Sequence, residues 1–475
     1  MKPRFSMQAG LPGNGVRERG STFIIVLWIA FGLVSLALYF ASSMSFELRA
    51  SDNRVSALAA DEAIDGAARY ITSMLGNLGT NGLVPDVTTY SNAAVPVGES
   101  HFWLIGRDTN NPVSAGRLCF GLVPENSKLN LNTVRSNQLI WLPRMTLDLA
   151  GAILDWRGSS NGPGTSLSSY AMSQPAYQCK GAPFETVDEL RLVEGSYMDI
   201  LVGEDANRNG VLDPDENDDN KNGMLDPGLL EYVTVYSREP NPSTNSDGET
   251  RINISSFTGT SSATTQLRSL LSTNFGATRA AEIIQALGLP SATTSVGTGR
   301  GTSAATTTTT VRFTSPLQFY VRSKMTVDEF AEIAGDIMMT STNLIKGRVN
   351  VNMASAPVLA CLLGGDFDAA QAMVDYRSAN SGDLTSIAWV SDALQNYPDA
   401  LTALEAGDYI TTQSYQFTAD VAALGPNGRG YRRVKFVFDT SSGTPQIIYR
   451  QDLSHLGWAL GNNVRQTWLL AKGTQ

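Results

Sequence analysis

The stretch "RERGSTFIIVLWIAFG" (17–32) decides the fold, because a charged run stops at Gly20 and a long uncharged run begins at Ser21. Residues 21–46, about 26 positions, carry no charge, and a helix needs about 20 residues to cross the bilayer core. We therefore predict one membrane-spanning helix. The basic residues that precede it predict a cytoplasmic N-terminus, with the rest of the chain outside; they are Lys2, Arg4, Arg17 and Arg19.

The alternative interpretation is a secretory signal peptide that is cleaved beyond the apolar run. The segment "YFASSMSF" (39–46) offers small residues for such a cut, but the run exceeds the roughly 7–15 apolar residues of a signal peptide. Apolar residues then recur at spacings of three and four, which continues one helical face to about Leu75; they are Val55, Ala59, Ala63, Ala67, Ile71 and Met74. A helix from Ser21 to Leu75 would be about 80 Å long.

The composition and charge of the chain exclude several classes of function. With 475 residues, 42% hydrophobic and 17% charged, the chain can fold into two or more domains. A net charge of −10 argues against a nucleic-acid-binding surface. Neither His101 nor His455 lies in a hydrolase or metal motif, so we predict no enzyme activity and leave a membrane-anchored enzyme as an unsupported alternative. Three cysteines lie far apart, without a zinc-binding spacing; they are Cys119, Cys179 and Cys361.

Strand patterns flank a large helical middle. Short aromatic and β-branched runs occur at 101–107 and 117–123, and three more form a predicted antiparallel meander at 414–424, 431–439 and 445–451. Periodic alanine-rich patterns between them predict helices. The fold class is therefore α+β, with a long N-terminal helix, an antiparallel sheet and a large inserted helical region.

The middle contains internal repetition. Three segments alternate apolar residues with Asn and then continue with small or hydroxyl residues: 128–142, 251–262 and 348–362. Each predicts the start of a repeated unit. A second repeated sequence is "TVDEL" (186–190), which recurs as "TVDEF" (326–330). In both copies Thr is followed three positions later by Glu, which is typical of a helix capping box.

These patterns divide the chain into seven predicted segments: a leader (1–20), the long helix (21–76), N-terminal strands (77–126), a first helical unit with the acidic loops (127–248), a second helical unit with a Thr-rich linker at 291–310 (249–346), a third helical unit (347–410) and C-terminal strands (411–475).

The strongest chemical signal is "DANRNGVLDPDENDDNKNGMLDP" (205–227), which matches the EF-hand loop pattern. In the first loop (205–216), six positions would offer calcium the six to eight oxygens that it prefers. Gly210 permits the sharp turn of such a loop. The predicted ligands are Asp205, Asn207, Asn209, the Val211 carbonyl, Asp213 and Glu216.

The pattern repeats thirteen positions later in the second loop (218–229). Leu229 stands where the final Glu should be, so this site is either incomplete or borrows Glu231 or Asp219. The structural alternative for both loops is a solvated acidic segment, which does not explain the doubled spacing. The predicted ligands are Asp218, Asn220, Asn222, Met224 through its carbonyl, and Asp226.

A basic leader that ends at Gly20 before an uncharged helix resembles the N-terminus of type IV pilins and pseudopilins. In that family a prepilin peptidase cuts after the glycine, here between Gly20 and Ser21, and the new N-terminus is methylated. Major subunits carry Glu at the fifth mature position, where this chain has Ile25.

The order of "RGSTFIIVLW", "FETVDELRLVEG" (184–195) and "RVNVNMASAPVLACL" (348–362) resembles the minor pseudopilin K family of the type II secretion system. The resemblance implies a pilin-like sheet interrupted by SAM-like or helix-hairpin repeats, calcium binding, and a place at the pseudopilus tip with minor pseudopilins I and J. It also implies a single-pass inner-membrane protein with a periplasmic head, which serves protein export across the outer membrane. The alternative is a minor pilin or adhesin-like subunit of a related fibre. The chain departs from the family at 157–162, which lacks further acidic residues.

Overall fold

The computed structural model describes residues 19–78, 81–108, 117–158, 168–172, 174–258, 261–289, 310–380, 382, 384–464 and 466–467. Most of the leader lies outside these ranges. Gly20 and Ser21 fall in the first turn of helix α1 (Arg19–Asn77). This helix is long and apolar enough to cross a membrane, with a mean hydropathy of 2.5 in its most apolar window. Its first half is exposed along its whole circumference, as a lipid-facing segment would be.

The second half of α1 packs against the head of the protein. Ala63, Ala67 and Ile71 are fully buried, as the apolar spacing predicted. Val55 is 61% exposed, contrary to that spacing, whereas its neighbour Ser56 is buried because the 425–430 segment of the head covers that side of the helix. An ion pair of 2.9 Å between Arg432 and Asp61 lies at the rim of this contact.

Three short strands follow α1. Strands β1 (Val95–Val97) and β2 (Ser100–Ile105) form an antiparallel hairpin, which confirms the strand predicted at 101–107. The strand predicted at 117–123 is wrong for most of its length: only a bridge at Phe120 and the two residues of β3 (Val123–Pro124) pair with neighbours. The backbone conformation of Gly121, with φ of 156°, breaks the strand between them.

The first helical unit opens with β4 (Leu129–Asn130) and contains α2 (Ser136–Leu139), α3 (Leu147–Trp156), α4 (Ser168–Met172), α5 (Met198–Val202), β5 (Val233–Thr234) and β6 (Arg238–Pro240). Strand β4 pairs in parallel with β5. "TVDEL" begins a 3-10 helix at Val187 rather than an α-helix, yet it has the predicted capping box, with the Thr186 N–H donating to Glu189 at 3.1 Å.

The second helical unit contains β7 (Ile252–Asn253), β8 (Ser256–Thr258), α6 (Ser262–Ala286), β9 (Thr310–Arg312), α7 (Pro316–Ser323), α8 (Val327–Ile333), β10 (Ile337–Met338) and β11 (Leu344–Lys346). Strand β7 pairs in parallel with β10. A non-helical residue, Gly276 with φ of 79°, divides α6. The predicted linker at 291–310 lies outside the described residues, except for Thr310.

The third helical unit contains β12 (Val349–Asn350), α9 (Ala356–Leu362), α10 (Phe367–Ala379), α11 (Trp389–Ala393), α12 (Pro398–Glu405) and β13 (Ile410–Thr411). Strand β12 pairs in parallel with β13. Each unit thus contains one parallel pair of two-residue strands, and the first strand of each pair carries the repeated apolar–Asn pattern. Buried Asn130 and Asn350 donate to backbone carbonyls just beyond the second strand of their pair, at 3.1 and 3.2 Å. Apolar residues of all three units share one core.

Three C-terminal strands return to the first sheet: β14 (Gln416–Leu424), β15 (Arg432–Asp439) and β16 (Gln446–Asp452). They form the predicted antiparallel meander. Strand β14 also pairs with β2 and β3, which gives a six-stranded sheet whose apolar face packs on α1. Gly430, with φ of 70°, allows the β14–β15 connection to approach Ser56, where a Cβ would lie 2.3 Å from the helix backbone. The architecture confirms the predicted α+β class.

Candidate metal centre

The two predicted calcium loops lie between α5 and β5. Helix α5 ends at Gly203, whose φ is 66° and where a Cβ would lie 2.5 Å from the Asp226 carbonyl oxygen. This close approach brings the start of the first loop against the end of the second. Glycine at this position thus allows the backbone before the first loop to contact the end of the second.

In the first loop, side-chain oxygens accept hydrogen bonds from backbone N–H groups of the loop itself. Asp205 accepts the N–H groups of Asn209 at 2.9 Å and Gly210 at 2.8 Å. The Oδ1 atoms of Asn207 and Asn209 each accept an N–H two residues further on, at 2.9 Å. Left-handed conformations at Arg208 (φ 58°) and Gly210 (φ 82°) curl the backbone around these oxygens.

Two carboxylates close the first loop. Asp213 Oδ2 accepts from the amide nitrogens of Asn207 at 2.7 Å and Asn209 at 2.8 Å. Glu216 accepts the N–H groups of Asn207 at 3.1 Å and Asp213 at 3.0 Å. Val211 is buried at the seventh position. The structure therefore brings the predicted side-chain ligands of the first loop together.

The first loop holds carboxylates that are partly or fully withdrawn from solvent. Asp205 is only 3% exposed, and burial raises the pKa of the Asp205 and Glu216 carboxyls. Among the described residues, neither Asp213 nor Glu216 has an ion pair with a basic side chain. A bound divalent cation would offset the desolvation of these carboxylates.

The second loop repeats this geometry in a more exposed position. Lys221 (φ 58°) and Gly223 (φ 74°) adopt the same left-handed conformations. Asp218 accepts the N–H groups of Asn222 at 3.2 Å and Gly223 at 2.8 Å. Asp226 accepts from the side-chain amides of Asn220 at 2.5 Å and Asn222 at 3.1 Å. The Met224 N–H donates to Asn222 Oδ1 at 2.7 Å, so the predicted members of this loop are also brought together.

Glu204 supplies the carboxylate that the second loop lacks in sequence. Its two oxygens accept the N–H groups of Asp219 at 2.7 Å and Asp226 at 2.8 Å, much as Glu216 does in the first loop. Of the two residues proposed from the sequence, Glu231 pairs with Arg107 at 2.9 Å, and the Asp219 carboxylate lies 3.5 Å from Arg144. The loop pattern did not predict Glu204, because this residue lies before both loops. The sequence indicates it only as an acidic residue directly before Asp205.

Two arginines of the sheet region hold the first loop by its backbone. Arg433 of β15 donates to the carbonyls of Asn207 and Arg208, the latter at 2.8 Å. Arg107, which follows β2, donates to the carbonyls of Arg208 at 3.0 Å and Asn209 at 3.3 Å. The first loop is thereby fixed to the main sheet.

The donor set fits calcium rather than a transition metal. Among the described residues, no group of three or more His, Cys, Asp or Glu side chains could hold a metal ion on its own. The loops instead combine carboxylates with amide and carbonyl oxygens, which are the ligands of a hard cation. Zinc would require nitrogen or sulfur ligands in a closed tetrahedral arrangement.

A long apolar helix packed on an antiparallel sheet, with a helical insertion between the sheet strands, defines a pilin-like protein with an enlarged head. Residues 349–402 match the family model described as "Type II secretion system (T2SS), protein K". This match covers most of the third helical unit and agrees with the resemblance to the minor pseudopilin K family that the sequence predicts.

Among solved structures, one similar chain belongs to "The Crystal Structure of the GspK-GspI-GspJ complex from enterotoxigenic Escherichia coli Type 2 Secretion System". It aligns with 86% of this chain and 99% of its own length, at 11% sequence identity and a TM-score of 0.39. No curated protein matches the chain.

Proposed function

We propose that this chain is a minor pseudopilin that occupies the tip of a type II secretion pseudopilus, where it initiates or caps assembly. The observation that carries this proposal is the size of the helical insertion between β3 and β14, on a head that keeps the helix-and-sheet core of a pilin. Such a head would obstruct another subunit above it, whereas the exposed apolar half of α1 can still pack against helices below it.

The residue at the fifth mature position supports a terminal place. A carboxylate in an apolar helix bundle needs a partner, and in the family Glu at this position is thought to pair with the N-terminal amine of a neighbouring subunit. Ile25 cannot make that contact, and it is 59% exposed on α1. The chain therefore lacks one of the contacts that would hold it beneath another subunit.

The partners follow from the same proposal. The solved complex named above joins GspK with GspI and GspJ, and we assign minor pseudopilins I and J to this chain by analogy. The basic residues before α1 support a cytoplasmic N-terminus, with the head in the periplasm and α1 in the inner membrane. Prepilin peptidase would process the chain, which acts as a structural subunit and not as an enzyme.

Counting subunits in sheared fibres tests the tip position. We expect about one copy of this chain per fibre, whatever the fibre length, because nothing stacks above the enlarged head. Quantitative mass spectrometry against the major subunit measures the ratio. Repeated incorporation along the shaft, at ratios that approach one to one, would contradict the proposal and favour a shaft subunit of a related fibre.

We also propose that the first loop binds calcium. Asp205, Asn207, Asn209, Asp213 and Glu216 would hold the ion, with the Val211 carbonyl at the seventh position. Calcium would neutralise buried carboxylates and tie the loop into a fixed shape. The second loop, with Asp218, Asn220, Asn222, Met224, Asp226 and the carboxylate of Glu204, offers a second site of the same kind.

Chelation should lower the melting temperature of the full chain. A ligand that binds only the folded state adds about 2.7 kcal/mol at a hundredfold excess over its Kd. Replacing the predicted bidentate ligand in Glu216→Ala should weaken calcium binding, as measured by calorimetric titration. Glu332→Ala, which removes an exposed carboxylate of α8, is the matched control and should leave the titration unchanged. An identical titration for Glu216→Ala and the wild type would refute the assignment.

A further inference from the structure

A cavity of about 80 Å³ lies between the main sheet and the first helical unit. Strands β14, β15 and β16 line one side, and the segments around Asp188, Arg208 and Tyr236 line the other. One water needs roughly 10–15 Å³ of such space, so the cavity can hold several waters or one small ion. All of its lining residues belong to the described part of the chain.

The cavity is rich in hydrogen-bond donors that have no acceptor. Nε and Nη2 of Arg208 and the hydroxyl of Tyr236 are buried without a hydrogen-bond partner. Lys128 and Lys435 also line the cavity, and within the described residues the ammonium group of neither forms an ion pair or a hydrogen bond. Burial lowers the pKa of Lys128, and the negative charge of the nearby Glu231 offsets this effect only in part.

The carboxylates that line the same cavity are already engaged. Asp420 binds Arg433 through both oxygens, at 2.6 and 2.8 Å. Glu231 accepts from Arg107 at 2.9 Å, and Asp205 accepts two backbone N–H groups of the first loop.

Asp188 accepts from Tyr449 at 3.2 Å and from Gln451 at 2.7 Å. Its other oxygen lies 3.9 Å from Nη1 of Arg208, a contact that leaves Nε and Nη2 of that guanidinium unused. The groups in the cavity that lack partners are therefore hydrogen-bond donors, and they need an acceptor.

The residue that corresponds to Lys128 in the third helical unit is paired with carboxylates, whereas Lys128 is not. Lys128 precedes β4 in the first helical unit, as Arg348 precedes β12 in the third. The Arg348 guanidinium reaches two carboxylates, Glu239 and Asp408. A lysine carries one compact ammonium instead of a planar fork of donors. Lys128 forms no direct ion pair, although Glu231 in the same cavity acts on its charge from further away. The first unit thus keeps a cavity in which this cation has no carboxylate in direct contact.

We propose that this cavity binds a small oxyanion, which accepts hydrogen bonds from Arg208 and Tyr236 and pairs with Lys128. An oxyanion supplies several acceptor oxygens and a negative charge at once, whereas water supplies acceptors without the charge. A metal cation is disfavoured because the unpaired groups are donors and cations. The bound anion would join the first helical unit to the sheet beside the first loop.

Thermal unfolding of the full chain in detergent tests this proposal, with sulfate as the probe. Calcium is held constant, and ionic strength is balanced with gluconate, a larger organic anion. We expect sulfate to raise the melting temperature of the wild type with a saturable dependence. The half-saturating sulfate concentration should rise at least tenfold in Tyr236→Phe and in Lys128→Met. Tyr431→Phe, which removes a buried hydroxyl outside the cavity, should respond like the wild type.

A cavity that holds only water predicts a different result. Sulfate would then act on the wild type, Tyr236→Phe and Lys128→Met alike, because neither substitution removes a contact to a bound anion. A rise that does not saturate, or a response that is equal in Tyr236→Phe and Tyr431→Phe, overturns the proposal. If Lys128→Met fails to fold, the comparison of the two tyrosine variants still decides it.

Discussion

Replacing Arg433 with leucine should lower the free energy of unfolding by about 3–5 kcal/mol, the usual cost of leaving a buried charge without its partner. Arg433 is fully buried, and its guanidinium binds both oxygens of Asp420, which is 7% exposed. The same guanidinium donates to the carbonyls of Asn207 and Arg208. Leucine would leave one carboxylate and two carbonyls buried without these donors.

Urea denaturation of the full chain in detergent, followed by tryptophan fluorescence, measures the change. Arg432→Leu is the matched control, because the neighbouring residue is about one-third exposed and its ion pair with Asp61 is partly solvated. Such a pair contributes roughly 0–1 kcal/mol. Arg433→Leu combined with Asp420→Leu should recover part of the loss, since no unpaired charge remains. Equal losses in Arg433→Leu and Arg432→Leu would contradict this account.

The Arg433 substitution should also weaken calcium binding, because it releases the first loop from the sheet without removing a proposed ligand. This distinguishes a positioning residue from a general stabilising residue: the control Arg432→Leu should not change calcium affinity. Arg107 acts on the same carbonyl of Arg208, so it provides a second test of the same connection between sheet and loop.

Local patterns predicted much of the fold. The apolar spacing after Ser21 gave α1, and the runs at 414–424, 431–439 and 445–451 correspond closely to β14, β15 and β16. These signals succeed because each depends on neighbours in sequence or on one buried face. The strand predicted at 117–123 is wrong over most of its length because Gly121 has a positive φ, which the apolar residues around it do not indicate.

In the candidate site, too, the residues of local motifs were predicted and those that act through distant contacts were not. Spacing alone predicted which residues the two loops bring together, because an EF-hand loop is a local motif; their role as calcium ligands stays a prediction. Glu204, Arg107 and Arg433 escaped detection because their roles depend on contacts distant in sequence: Arg433 reaches a carbonyl 225 residues away. The repeated Asn residues signalled the three units, but their pairing partners lie at the far end of each unit.

Co-expression with a prepilin peptidase should convert the chain completely to a form that begins at Ser21. The charged leader meets the uncharged part of α1 at Gly20, and in the resembled family the peptidase cuts after this glycine on the cytoplasmic side. Gly20→Leu should abolish the conversion, because a bulky side chain would occupy the position next to the cleaved bond. Mass spectrometry of the N-terminus measures both outcomes.

Gly32→Ala is the matched control for that experiment. It also changes a glycine of α1 to a larger residue, at a position where a Cβ would meet nothing within 4 Å, and it lies beyond the cleavage site. Cleavage should therefore proceed as in the wild type, because the change leaves both the leader and the apolar length of the helix intact. Cleavage after Ser42 or Ser43 in any variant would identify an ordinary signal peptide. That outcome would remove α1 from the mature protein and with it the membrane anchor on which the proposed place in the fibre depends.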